Sequence, residues 1–570
     1  MGKIANRLRE KFRDQRTYYW IFAVVMVVPN LFLCYTEPLG FFAKVALVFV
    51  PAFIYMAFML LFRRPGIPML IFFPMYIFGA LQLVLLYLFG NSIVATDMFL
   101  TIASTNSNEA FELLGKLLPS LIGVCVLYIP MIVLSVMSIR AEDRLTFSFR
   151  RHTAVIAFTV LFAGLGSMGL AKRSDDFYSA KFHIWPVNIF YNIQLAVEYH
   201  DNTDLYGETS DGFTFDAVSH RPDSIPEVYV MVIGETSRAL NWQIYGYPRA
   251  TNPLLSRTEG LVHFTDVLTQ SNATYKSVPI IMSAASAEGY DLIFRQKSLI
   301  AAFREAGFRT AFLSNQMPNR SFVDFFAAEA DTAYFLKQDR KKRDPGHEPF
   351  DSELLVMLDE ELAREDGKKL ILLHTYGSHF DYKERYDQSQ RYFAPDDYTT
   401  IKWKEREKLM NAYDNTIRVV DRFLHEVIGR LSAMPAATAM LYISDHGEDL
   451  MDDRRGHFLH ASPLPTYYQL HVPMLIWFSS EYDRLWPSLR ANAAENVDKP
   501  MTSNVTFHTM LSIGGVETAY RSDSRSVVSD GFSVSTRHYL DDHNNPRMLD
   551  KIGLKALDVE MFNKVGIQYP

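Results

Sequence analysis

Cysteine is almost missing from this chain of 570 residues: there are two, Cys34 and Cys125. Both fall in or beside long apolar runs, so the remainder has no disulfides and must be held by an ordinary hydrophobic core. An excess of positive charge is missing too. Lys and Arg number 57 against 64 Asp and Glu, a formal net charge of -7, which argues against a nucleic-acid partner. There is no internal repeat, no low-complexity tract, no Walker-type phosphate loop and no GxGxxG fingerprint, which removes the commonest nucleotide-binding folds.

What the first third does have is apolar length. Five runs, about 18–36, 41–62, 67–89, 117–138 and 153–171, approach the roughly 20 apolar residues that a bilayer-spanning helix needs. Basic residues flank them in alternation. Arg7, Arg9, Lys11, Arg13 and Arg16 precede the first run, Arg63 and Arg64 separate the second and third, and Arg140, Arg144, Arg150 and Arg151 separate the fourth and fifth. The loops between, around Glu37 to Lys44 and over 90–116, are poor in them. Lys and Arg stay on the cytoplasmic side, so five spans place everything after about residue 172 outside the cytoplasm. Core helices of a soluble protein would not alternate in this way. Nor does the first run read as a cleaved signal peptide, since more spans follow it at once.

Three domains are expected: a transmembrane domain of five spans over 1–172, a connector over 173–226, and an exported catalytic domain over 227–570. The connector carries Phe182, Trp185, Phe190 and Tyr191 among polar residues, a mixture suited either to the headgroup region or to packing on the exported domain. From Glu227 onward, VYVMVIG, TAFLSN, KLILLHTYGSH and TAMLYISDHGE read as buried strands. Between them KSLIAAFREAG, DSELLVMLDEELARED and KLMNAYDNTIRVVDRFLHEVIGRL read as helices. Such alternation predicts an α/β fold, a doubly wound and mainly parallel sheet whose sites lie beyond the carboxyl ends of its strands. KQDRKKRDPGHEP, at 337–349, reads as a solvated surface loop.

Three of these strands end in groups that bind metals or move protons. The endings are Gly234-Glu235-Thr236, His374 followed by Gly377-Ser378-His379, and Ser444-Asp445-His446-Gly447-Glu448. Three such endings at one edge point to one site. Asp445 and His446, adjacent on a loop, can both turn toward one ion, and Glu235 would add an oxygen; a catalytic zinc commonly takes three protein ligands and leaves a fourth position open. The remaining group should be a nucleophile, and Thr274 lies in a small polar stretch ahead of a helix. A zinc ion on its oxygen and the positive end of that helix would stabilise the alkoxide. Ser271 and Ser277 offer alternative hydroxyls, and Thr274 could equally be a helix cap.

Taken together, the five spans, TNSNEAFELL (105–114), VIGETSRALNWQIYGYPRATNP, AGFRTAFLSNQ, LILLHTYGSHFDYKERY and ISDHGED resemble the phosphoethanolamine transferases of Gram-negative envelopes. These are membrane members of the alkaline phosphatase and sulfatase superfamily. The resemblance implies zinc ligands at Glu235, Asp445 and His446 and a nucleophile, also a metal ligand, at Thr274. It implies substrate-side histidines at His379 and His460, with His457 close enough to exchange roles with His460. Glu448 and Asn315 match further polar positions of that site, and Asn106 and Glu109 match positions that hold the donor headgroup. Many lipid A-modifying members carry a disulfide flanking the nucleophile; here Gln270 and Ile280 stand there, closer to the members that modify the inner core.

The implied activity is transfer of phosphoethanolamine from phosphatidylethanolamine, through a phosphothreonine intermediate, to a lipopolysaccharide acceptor, with release of diacylglycerol. The acceptor would be a lipid A phosphate or an inner-core group, and a periplasmic glycan is the alternative. The enzyme would be a monomer in the inner membrane with its catalytic domain in the periplasm. The donor set suits zinc and does not exclude manganese. A phosphoglycerol transferase using phosphatidylglycerol is the nearest rival, while a sulfatase activity would need the Cys-x-Pro-x-Arg motif that is missing here. A non-catalytic scaffold would have lost a metal ligand, and every expected one is present.

Overall fold

The computed structural model describes residues 14–90, 93–104, 118–175, 178–344, 348–364 and 367–569. Its contacts divide the chain into two compact units, Met1–Ile102 with Asn106–Val197 and Arg455–His457, and Ala103–Thr105 with Glu198–Arg454 and Phe458–Pro570.

The first unit is helical: α1 (Gln15–Thr36), α2 (Phe41–Leu60), α3 (Phe73–Phe89), α4 (Leu118–Arg140) and α5 (Phe147–Ser174). Among the described residues, four helices are long and apolar enough to cross a membrane, those of α1, α2, α4 and α5. The expected third span differs because it is broken into Gly66–Ile71 and α3. Pro74 stands in the first turn of α3. It has no N–H to give and its ring would strike the carbonyl of a preceding turn, so the helix restarts there. At 17 residues, α3 alone reaches about 26 Å, short of the roughly 30 Å hydrocarbon core. On α4 and α5, apolar side chains such as Val126 and Phe162 are 69% exposed, an arrangement that suits lipid rather than water.

The second unit is built on a sheet of seven strands: β1 (Glu227–Gly234), β2 (Leu261–Phe264), β3 (Arg309–Ser314), β4 (Thr332–Phe335), β5 (Lys369–His374), β6 (Ala437–Ser444) and β7 (Met474–Phe478). Their order is β2-β7-β6-β1-β5-β3-β4. The five strands from β6 to β4 run parallel, and β7 is antiparallel to both its neighbours. Every residue of β1, β5 and β6 is buried, as expected of central strands covered on both faces. One cover is α7 (Arg406–Ser432), whose Leu409, Tyr413, Ile417, Val420, Leu424 and Leu431 recur at helical spacing on the buried side.

Register then fixes the site. Ile233 pairs with His374 and Gly234 with Ser444, so the three central strands end level. Pairing continues one step further, with Thr375 N on Ile233 O at 3.1 Å and Asp445 N on Gly234 O at 3.0 Å. Glu235, Thr375 and Asp445 therefore leave the carboxyl edge side by side.

Candidate active site

Glu235 is the first residue past β1, and its carboxylate is buried. The chain turns at once: Thr236 adopts φ 60, an uncommon conformation for a branched residue. Two hydrogen bonds hold it there, from Thr236 N to Asp445 Oδ1 at 3.0 Å and from Thr236 Oγ1 to Glu235 Oε1 at 2.6 Å. Gly377, at φ 49, passes so close that a Cβ would lie 2.7 Å from Glu235 O. On the far side, Gln316 Nε2 donates to Glu235 Oε2 at 3.1 Å and to Thr375 O at 2.9 Å.

Thr274 opens α6 (Thr274–Met282), a helix of nine residues. Its Oγ1 lies 3.0 Å from His446 Nε2 and 3.3 and 3.4 Å from the two oxygens of Glu235. The first turn of α6 adds the positive end of the helix dipole. The rival hydroxyls face elsewhere, with Ser271 Oγ accepting from Ala273 N at 3.3 Å and Ser277 Oγ donating to Ala273 O at 3.1 Å.

His446 presents a lone pair to this cluster. Its Nδ1 lies 3.0 Å from Gly447 O, and a carbonyl can only accept, so the ring proton sits on Nδ1 and Nε2 is free to bind. Asp445 Oδ1 accepts from Thr236 N and, at 2.7 Å, from His446 N. Its Oδ2 is buried without a hydrogen-bond donor and lies 3.3 Å from His446 Nε2. Glu235 Oε1 is 3.6 Å from the same nitrogen. Two buried carboxylates and a buried imidazole lone pair thus converge, an arrangement that repels itself unless protons or a cation intervene. Burial accordingly pushes the Asp445 carboxyl up to about 7. Glu235 is raised as well, by burial first and then by the Asp445 charge. The donor set fits a divalent cation such as zinc, which takes these nitrogen and oxygen ligands.

Glu448 and His460 form the next layer. Glu448 accepts from Tyr382 OH at 2.7 Å and meets His460 Nδ1 at 2.7 Å, and burial lifts its carboxyl to about 8. The His460 ring lies 4.1 Å from that of His446, centroid to centroid, and 6.2 Å from that of His379. His460 also joins Glu235 and His446 as a group able to share one ion. His379 stacks on Tyr376 at 4.8 Å, with its Nδ1 on Phe380 O at 2.6 Å, which places the ring proton on Nδ1.

The structure therefore brings together Glu235, Thr274, Asp445, His446, Glu448, His460 and His379. Asn315 turns away from them, donating to Pro349 O at 3.1 Å and Asp351 Oδ1 at 2.8 Å. Asp351 in turn accepts from Tyr376 N and Gly377 N, so Asn315 supports the loop that bears His379. His457 groups with the first unit. Asn106 and Glu109 lie outside the described residues. Gln316 and Tyr382 were not anticipated. Gln316 closes the AGFRTAFLSNQ motif, where nothing distinguishes it from a turn residue, and nothing in the spacing of Tyr382 signals its contact with Glu448.

A buried cluster of acids, imidazole and hydroxyl at the carboxyl edge of a mainly parallel sheet is suited to metal-assisted group transfer. The chain belongs to the sulfatase family, whose model matches residues 227–516. It is similar to phosphoethanolamine transferase EptA of Escherichia coli strain K12, 32% identical over 301 residues, which are 51% of this chain and 54% of that protein. The match thus spans about half the length of that relative. Among solved structures, the integral membrane lipooligosaccharide phosphoethanolamine transferase A (EptA) of Neisseria meningitidis matches 88% of this chain and 98% of its own at TM-score 0.68 and 23% identity. Its soluble domain alone matches 55% of this chain and 95% of its own at 29% identity and TM-score 0.50. The C-terminal periplasmic domain of EptC from Escherichia coli, solved in complex with Zn, matches 62% of this chain and 98% of its own at 25% identity and TM-score 0.55.

Proposed function

We propose that this chain transfers phosphoethanolamine from phosphatidylethanolamine to a lipopolysaccharide acceptor, a lipid A phosphate or an inner-core group, through a covalent intermediate on Thr274. The observation that carries the reading is the placement of Thr274 Oγ1 at 3.0 Å from His446 Nε2, at the start of a helix and beside Glu235. Relatives named as phosphoethanolamine transferases supply the transferred group.

Glu235, Asp445, His446 and Thr274 Oγ1 would hold a zinc ion, which supplies a lowered hydroxyl pKa and offsets charge on phosphoryl oxygens. In the first half-reaction Thr274 Oγ attacks phosphorus, forming the Thr–O–P bond as the bond from phosphorus to the diacylglycerol oxygen breaks. The proton of the hydroxyl ends on the released diacylglycerol. His379, through Nε2, stabilises charge on the leaving side. In the second half the acceptor hydroxyl oxygen attacks the same phosphorus as the Thr–O–P bond breaks, and the proton that the acceptor hydroxyl loses restores the Thr274 hydroxyl. Glu448 orients His460 beside the incoming substrate. Asn106 and Glu109 hold the donor headgroup.

A membrane domain over 1–172, a connector over 173–226 and a periplasmic catalytic domain over 227–570 suit this chemistry. A lipid donor keeps its headgroup at the outer face of the inner membrane, within reach of an enzyme tethered there, and one copy suffices. Purified enzyme given phosphatidylethanolamine and lipopolysaccharide is expected to add phosphoethanolamine to the acceptor, read by mass spectrometry of its fragments. Modification only when phosphatidylglycerol is the donor would replace the reading with phosphoglycerol transfer.

A further inference from the structure

The loop that presents Thr274 has no covalent cross-link, since both cysteines lie in the first unit. Two buried amides take up the task. Asn272 is 2% exposed and Gln469 is fully buried. Asn272 Nδ2 donates to Gln469 Oε1 at 2.6 Å and to Ser462 O at 2.9 Å, while Tyr539 OH donates to its Oδ1 at 2.7 Å. Ser462 O is a carbonyl and can only accept, so the orientation of the Asn272 amide is forced. From the other side, Gln469 Nε2 donates to Leu459 O at 3.1 Å and to Asp449 Oδ2 at 2.5 Å.

These bonds converge on the turn that carries His460. Leu459 has φ 71 and Ala461 φ 55, so His460 is flanked on both sides by non-glycine residues in the left-handed region. Such a backbone persists only where its surroundings over-determine it. Here the determinants are visible: Leu459 O is held by Gln469, Ala461 N donates to Asn272 O at 3.0 Å, and Ser462 O is held by Asn272. Asn272 stands two residues before Thr274, and Asp449 one residue after Glu448. The amide pair thus ties the nucleophile loop, the Glu448 loop and the His460 turn to one another.

We propose that Asn272 and Gln469 are positioning residues which hold the His460 imidazole against Glu448 and in register with Thr274. The proposal rests on the transfer reaction above for its kinetic arm only. In the full-length enzyme, Asn272→Ala and Gln469→Glu, the latter keeping shape but losing the Nε2 donors, are expected to lower kcat roughly 10- to 100-fold with little change in KM. Zinc content by elemental analysis should be unchanged. In a His460→Ala background, Asn272→Ala should cost nothing further, because it acts through His460. An equal fold-loss in that background would overturn the proposal, since a merely structural role persists without His460. A structural arm is independent of substrate: in a structure of either variant the His460 Nδ1 to Glu448 Oε2 contact is expected to open, and an unchanged 2.7 Å contact in both would overturn the proposal. If the wild type transfers nothing, the assigned function fails, and the structural arm still decides this proposal.

Discussion

Thr274 Oγ1 and His446 Nε2 lie 3.0 Å apart although 172 positions separate them in the chain. Gly447 O holds the imidazole proton on the opposite nitrogen, so Nε2 faces the hydroxyl with its lone pair. Glu235 lies within 3.4 Å of the same hydroxyl. The fold therefore places the proposed nucleophile beside the groups that would activate it.

The bridge from Gln316 Nε2 to Glu235 Oε2 orients the carboxylate without taking part in the chemistry. Behind a metal ligand, the role proposed for Glu235, partners of this kind typically contribute about 10- to 100-fold in metal affinity. Gln316→Ala is expected to weaken zinc binding within that range, measured by competition with a chromogenic chelator. Unaltered affinity would show that Thr236 alone orients Glu235.

Arg238 is buried against Asp452, with bonds of 2.6 and 2.9 Å between the two forks, and its third nitrogen donates to Asn241 Oδ1 at 2.7 Å. It also donates to Glu448 O at 2.9 Å, which pins the loop carrying that acid. Arg238→Ala leaves the Asp452 carboxylate with Arg406 Nη2 at 3.8 Å as a remaining cationic partner and is expected to cost up to roughly 3–5 kcal/mol. Chemical denaturation of the detergent-solubilised protein should show the loss. Asp452→Asn, which keeps an acceptor, should cost less.

Stability without metal should depend on pH in a defined direction. Asp445 and Glu448 titrate at about 7 and about 8 in the folded chain because burial disfavours their charge. Unfolded, such groups titrate near about 4. The fold therefore holds protons that the unfolded chain has released, and this contribution is full below about pH 4 and is lost progressively until pH has passed the folded values of about 7 and 8. His374, His471 and His508, each held down to about 4 by burial, act in the opposite sense, but their effect is complete above about pH 6.5. Chelator-treated protein is expected to show a falling apparent Tm from about pH 6.5 to 8, and zinc, which would displace the Asp445 proton, should flatten the slope. A Tm that rises across that window with chelator present would contradict the assignment.

The central strands were legible because buried parallel strands read as nearly unbroken apolar runs, and in β1, β5 and β6 those runs stop at Glu235, Thr375 and Asp445. The buried stripe of α7 was legible by its period. By contrast β2 and β4 have four residues each, too few for a period to show, and the antiparallel sense of β7 is set by tertiary pairing, which no local pattern encodes. A hydropathy window passes over Pro74 without registering that it restarts a helix. The acids and imidazoles that the fold brings together could be read from motifs, whereas Tyr382, which donates to Glu448 across 66 positions, could be found only in the fold.

The account stands or falls on the hydroxyl of Thr274. Intact-mass spectrometry of the purified enzyme after incubation with phosphatidylethanolamine, without acceptor, reads the intermediate directly. The wild type is expected to gain one phosphoethanolamine unit, mapped to Thr274 by fragmentation, while Thr274→Ala folds, binds zinc and gains none. A wild-type adduct on any other residue, or an equal adduct on Thr274→Ala, would contradict the account.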